Sequence, residues 1–158
     1  MDKFEKCITN ANDIYVYFEI ANMVEPERIL DVGMFLKRMG AISRQAMLRT
    51  IDDDIYMCGI DCMEECQVGV YDNVYNRIEK MSDVCSDSVD CKLGKYDLAY
   101  MMRLEESLAG KLWTMVSKCS KYAVAEKKGF EKNREFMGDC IYKDMKLDDD
   151  EYVIVIFG

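Results

Sequence analysis

The chain of 158 residues has no histidine. That removes the commonest general base and the usual partner of a serine or cysteine nucleophile, and so argues against triad hydrolysis. Proline is nearly absent too: Pro26 is the only one, and it marks a break. Eight cysteines are present, at 7, 58, 62, 66, 85, 91, 119 and 140, but none form a Cys-x-x-Cys pair. Without that spacing and without histidine, both a zinc site and a disulfide framework are weakly supported. The thiols are expected to be reduced and buried, packing as small hydrophobes.

Positive charge is also short. Lysine and arginine number 21 against 30 acidic residues, a formal charge of −9. Bulk binding of nucleic-acid phosphates wants a basic face, so no nucleic acid is expected as a partner. No apolar run approaches the roughly 18–20 residues of a membrane span. The charged opening Met1-Asp-Lys-Phe-Glu-Lys lacks the apolar heart of a signal peptide. The expectation is a cytoplasmic single domain over 1–158, with residues 1–24 as an N-terminal helical segment.

Apolar spacing from Asp2 to Met23 has helical period, with an interruption available at Asn10-Ala-Asn12. Glu25-Pro26-Glu27 ends it, since the residue before proline is pushed out of the helical region. Arg28–Val32 then reads as a buried strand, followed by a glycine-bearing turn and a helix over Ala41–Thr50. Ile55–Ile60 is a second strand, closed by Asp61. The residues from Tyr71 to Met81 read as a helix through Val74, Ile78 and Met81, with Tyr71 and Tyr75 on one face. A third strand has only a weak candidate, Val84-Cys85, within the polar stretch 82–95. Tyr96–Met102 is a strong strand, and a helix runs through Leu108, Leu112, Trp113, Val116 and Cys119. Lys121–Ala125 is a strand, and Glu126–Phe136 a charged loop or short helix. Cys140–Met145 and Tyr152–Phe157 are strands whose short connection implies an antiparallel hairpin.

Together these elements predict an α/β fold: a doubly wound, mostly parallel, Rossmann-like sheet with a C-terminal antiparallel hairpin and helices on both faces. The motifs Ile29-Leu-Asp-Val-Gly33, Gly59-Ile-Asp61 and Tyr96-Asp-Leu-Ala-Tyr100, with the closing hairpin, resemble the class I S-adenosylmethionine-dependent methyltransferases over roughly residues 24–158. The hairpin favours that family over a dehydrogenase-type domain.

The resemblance implies S-adenosylmethionine as cofactor. The backbone around Asp31 and Gly33 would approach its methionine part, and Asp61 would accept hydrogen bonds from the ribose hydroxyls. The Ser82–Asp90 loop would border the adenine. Tyr100, Met101, Met102 and Arg103 would look toward the transferred methyl and its acceptor. Candidate catalytic groups are Tyr100, Arg103 and Glu105; Glu106 and Asp97 are further choices for a base.

The chain departs from the family at its glycine turn, which usually runs acid-x-Gly-x-Gly-x-Gly. Phe35 stands where the second glycine would be and Lys37 where the third would be, while Gly40 can supply the helix-proximal glycine. The leading expectation is a methyltransferase acting on an unknown small molecule. One alternative is a catalytically inactive binding or scaffold protein with Phe35 filling the cofactor site. The other is a nucleotide or sugar-nucleotide binding domain that uses Lys37 and Arg38 for phosphate. The expected partners are a small-molecule substrate or nucleoside ligand and no membrane, with a homodimer left open.

Each residue also has a plainer role. Asp61 suits a helix N-cap, Arg103 with Glu105 and Glu106 suits a charged first turn, and Tyr100, Met101 and Met102 suit a core.

Overall fold

A computed structural model of the protein describes residues 11–32, 52, 54–61, 75–80, 94–102, 104 and 106–158. Helix α1 spans Ala11–Val24. Its C-terminus is closed by Glu25, whose amide donates to the Ala21 carbonyl at 2.9 Å from a left-handed backbone at φ 51°. Glycine usually takes that conformation; here Pro26 follows and cannot continue the helix. Strand β1 is Arg28–Val32, the span read from the sequence. Asp97 fixes its entrance: one carboxylate oxygen accepts the amides of Glu27 and Arg28 at 2.8 and 3.0 Å.

Strands β2 (Tyr56–Asp61), β3 (Arg77–Lys80) and β4 (Tyr96–Tyr100) lie parallel to β1 or to each other. Helix α2 (Glu106–Cys119) leads into β5 (Ser120–Glu126), which pairs parallel with β4. A short helix α3 (Lys127–Lys132) and a 3-10 turn (Arg134–Phe136) precede β6 (Cys140–Leu147) and β7 (Asp150–Phe157). The sheet order is β3-β2-β1-β4-β5-β7-β6, with β7 antiparallel to both β5 and β6. The hairpin is tight, since Leu147 pairs with Asp150 and Asp148 takes a left-handed φ of 56°. The fold class expected from the sequence is the fold observed.

One expectation is corrected. Arg77–Lys80 is a strand, not the end of a helix, and it pairs with β2 in the sheet; the candidate Val84-Cys85 lies outside the described residues. Strand β3 sits at the sheet edge, where only one neighbour covers it, so its sequence is mostly charged. Arg77 and Glu79 project to one face and pair at 2.6 Å, while Ile78 packs on the other against the core. Tyr75 accordingly lies in the approach to a strand and shares no helical face with Tyr71, which is outside the described residues, as are the proposed helix 41–50 and the stretch 81–93.

Two cores flank the sheet. Beneath α1, Tyr17, Ile20 and Ala21 pack on Ile29, Met57, Leu98 and Tyr100. On the opposite face, Leu112, Trp113 and Val116 of α2 and Phe130 of α3 cover Leu30, Val32, Cys58, Ile60 and Ala123. Alternation along β1 explains the division: Ile29 faces one core, and Leu30 and Val32 the other.

One buried polar tie and two nearer the surface hold α1 in place. Tyr152 donates its hydroxyl to Asp13 at 2.7 Å, and the Asn12 amide donates to Asp148 and Asp150 in the hairpin. Cys58 and Cys119 are free, buried thiols, and Cys140 is free and half-buried. Burial is the largest influence on both buried thiols and pushes their pKa values up; the other five cysteines lie outside the described residues.

Candidate functional site

Parallel strands bring their carboxyl ends to one edge of the sheet, where open α/β folds bind ligands. Register places the sequence-predicted residues there. Asp31 pairs with Gly59 and Val32 with Ile60, so Asp61 lies one residue beyond, at the end of β2. Asp31 also pairs with Tyr100 of β4, and the Met101 amide extends that strand by donating to Val124 at 2.9 Å. Asp31, Asp61, Tyr100 and Met101 therefore converge from three neighbouring strands. Gly33, Phe35, Gly40, Arg103 and Glu105 lie outside the described residues.

The side chains then diverge. Asp31 is wholly buried and its carboxylate accepts the hydroxyl of Tyr75, itself in the approach to β3. This bond turns Asp31 inward and ties β1 to the β2–β3 connection, leaving the β1 backbone as the part facing the sheet edge. Tyr100 points under α1, its ring centroid 4.3 Å from that of Tyr17. Met101 points to the other face.

Asp97 is removed from the site altogether. It sits at the start of β4, at the opposite edge of the sheet, engaged by the entrance of β1.

Beside Met101 a cavity of about 370 Å³ opens between α2 and α3 at the ends of β4 and β5. Met101, Leu104, Ala109 and Trp113 form its apolar wall; Glu126, Lys128, Lys132 and Asn133 supply polar groups, and Gly129 completes it. Local structure explains how these meet. Glu126 ends β5 and immediately precedes α3, making no side-chain capping hydrogen bond to it, so its side chain leaves the sheet edge where the helix begins. Lys128 and Lys132 are four residues apart on α3, and hence on one face. Lys127 is directed away, pairing with Asp144 at 3.1 Å.

Asn133 donates to the Gly129 carbonyl at 2.9 Å and closes the helix. Phe130, on the inner face, anchors α3 between Trp113 and Tyr142, with ring centroids 6.3 and 4.8 Å away.

Sequence reading did not find this wall. It treated Glu126–Phe136 as a charged loop or short helix, and the usable signal was a glycine within a charged helical segment immediately after a buried strand. Among the described residues no group of His, Cys, Asp and Glu could hold a metal ion, and no helix is long and apolar enough to cross a membrane.

The strand order and the reversed β7 are those of the class I S-adenosylmethionine-dependent methyltransferase fold. Solved structures agree with it. The O-methyltransferase TomG of Streptomyces achromogenes, determined with S-adenosylmethionine, is similar at a TM-score of 0.67 and 12% identity, covering 96% of this chain and 82% of that one. An O-methyltransferase of Bacillus cereus in complex with S-adenosylhomocysteine gives a TM-score of 0.65 at 9% identity, with 96% and 83% covered. Precorrin-6y C5,15-methyltransferase of Geobacter metallireducens gives 0.62 at 13%, with 97% and 91% covered. No protein-family model and no curated protein sequence matches the chain.

Proposed function

We propose that the protein binds S-adenosylmethionine at the ends of β1 and β2 and methylates a small molecule held in the cavity between α2 and α3. The observation that carries this reading is the cavity's position. It opens at the ends of β4 and β5, on the same sheet edge as the ends of β1 and β2. Cofactor and acceptor would thus be neighbours along that edge.

Asp61 would hold the ribose hydroxyls, and the backbone following Asp31 would hold the methionine part. Bound there, the cofactor supplies a methyl group on a sulfonium with a neutral thioether as leaving group. The chain's own contribution is then chiefly placement, which accounts for a large share of catalysis when two reactants must meet in line. Met101 and Trp113 would exclude water from the acceptor, and Glu126 is the carboxylate suited to take its proton. Without a histidine, that role passes to a carboxylate.

The alternative of a closed cofactor site turns on Phe35. Calorimetric titration with S-adenosylhomocysteine, using wild type, Asp61→Ala and Phe35→Gly, separates the readings. Binding by wild type that is lost in Asp61→Ala is the expected result. Binding gained only in Phe35→Gly would show a site plugged by the phenyl ring and overturn the enzyme reading. Affinity for nucleoside diphosphates alone, weakened by Lys37→Ala, would favour phosphate recognition instead.

A further inference from the structure

The cavity beside Met101 is chemically two-sided, and its two sides select a ligand. One wall is apolar and soft, built from the Trp113 ring, the Met101 thioether, Leu104 and Ala109. The other is lined by Lys128 and Lys132 together with Glu126, the charged groups among the described lining residues. In a chain of net charge −9, two lysines and one glutamate among the described lining residues make this wall less acidic than the chain as a whole. The four-residue spacing of Lys128 and Lys132 puts both on the cavity face of the helix, while Lys127 turns toward Asp144. The volume of about 370 Å³ lies at the small end of the roughly 300–1,000 Å³ range of ligand pockets.

We infer that this cavity takes an amphipathic anion, a flat apolar body of one or two rings bearing a single negatively charged group. The body lies against Trp113 and Met101, and the charge faces Lys128 and Lys132. Glu126 stands at the end of β5, toward the sheet edge, and disfavours a second negative charge at that end. As the class of methyl acceptor, this rests on the reading of the domain as a methyltransferase; as a binding specificity, it stands on the cavity alone.

Gly129 provides the means of closing the cavity. A Cβ placed there meets only the Glu126 Oε2, at 3.8 Å, an ordinary contact. A larger side chain at 129 therefore enters the cavity without displacing the helix.

Two dyes built on the same two-ring naphthalene test the inference by fluorescence titration: naphthalene-1-sulfonate, which is anionic, and 1-naphthalenemethanol, which is neutral. Wild type is expected to bind the anionic dye more tightly. Lys128→Ala with Lys132→Ala should weaken it about 3- to 10-fold, the effect of losing two partly exposed charge contacts, and leave the neutral dye unchanged. Gly129→Leu should abolish binding of both, and Glu126→Gln should tighten the anionic dye.

Equal affinity for the two dyes, an unchanged anionic affinity in the double lysine variant, or undiminished binding to Gly129→Leu would each overturn the inference. The lysines are exposed, so that variant remains informative if Gly129→Leu does not fold. Titration of S-adenosylhomocysteine into the same samples separates the two claims. Dye discrimination without binding of that nucleoside would support the cavity's specificity and overturn the methyltransferase reading; nucleoside binding without dye discrimination would overturn only the inference.

Discussion

Substituting Tyr75→Phe removes one oxygen from the centre of the molecule and should be felt by the whole sheet. The Tyr75 ring is 5% exposed and its hydroxyl donates to the wholly buried carboxylate of Asp31. Phenylalanine keeps the ring packing, so the change isolates the hydrogen bond. A bond from a hydroxyl to a buried carboxylate contributes about 1.5–3 kcal/mol, and removing the donor leaves the acceptor's desolvation less well offset. For a domain of this size each kcal/mol shifts the melting temperature by roughly 2–4 °C. A fall of about 3–12 °C is therefore expected.

Urea unfolding followed by circular dichroism measures the free energy, and an unchanged slope against urea would show that the unfolded state is unaffected. Asp31→Asn combined with Tyr75→Phe completes a double-mutant cycle, with an expected coupling above about 0.5 kcal/mol. A Tyr75→Phe protein within about 0.5 kcal/mol of wild type, or strictly additive effects, would refute the pairing as a structural tie.

Other outcomes follow from the same physical terms. Tyr152→Phe should cost about 1.5–3 kcal/mol by chemical denaturation, because its hydroxyl serves buried Asp13 at 2.7 Å. Gly129→Ala should raise stability by about 0.5–1 kcal/mol, the helix-propensity difference, since its new methyl group meets no obstacle closer than 3.8 Å. Asp97→Ala should lower the melting temperature, as the entrance amides of β1 lose their acceptor, without changing affinity for S-adenosylhomocysteine at the far edge of the sheet.

Alkaline pH should destabilise the fold. Burial raises the pKa of Cys58 and Cys119 above the ordinary thiol value of 9.0, so the unfolded chain releases those protons first. Stability should hold below about pH 9 and fall as pH rises from there toward the raised folded-state values, by up to about 1.4 kcal/mol per pH unit per thiol. Burial pushes Tyr96 up as well and extends the decline above pH 10. Unfolding titrations of Cys58→Ala with Cys119→Ala should show a shallower fall, and a decline as steep as that of wild type would count against the assignment.

What could be read from the sequence, and what could not, follows from how completely each element is buried. Strands β1 and β4 are surrounded on both faces, so Ile29-Leu30 and Leu98-Ala99-Tyr100 stand out as apolar runs and their positions were legible. The hairpin was legible because only a tight connection fits between β6 and β7. Strand β3 was not, because an edge strand needs one buried side chain, and Ile78 also satisfied a helical spacing with Val74 and Met81. In the site, Asp61 and Met101 were placed by strand ends, a topological property that sequence order preserves. The cavity wall on α3 was hidden for the opposite reason. Lys128 and Lys132 carry meaning only once β5 and α2 set Trp113 and Glu126 across from them, and charged residues on a short helix otherwise resemble a solvated face.

The most direct test is a thermal shift with S-adenosylhomocysteine. A ligand at about 100 times its dissociation constant stabilises by about 2.7 kcal/mol, so the melting temperature of the wild-type protein should rise by roughly 5–10 °C, saturating with one site. The rise should disappear in Asp61→Ala. An unchanged melting temperature at millimolar ligand, with no heat of binding by calorimetry, would contradict the proposal that this fold holds a methyl-donor nucleoside.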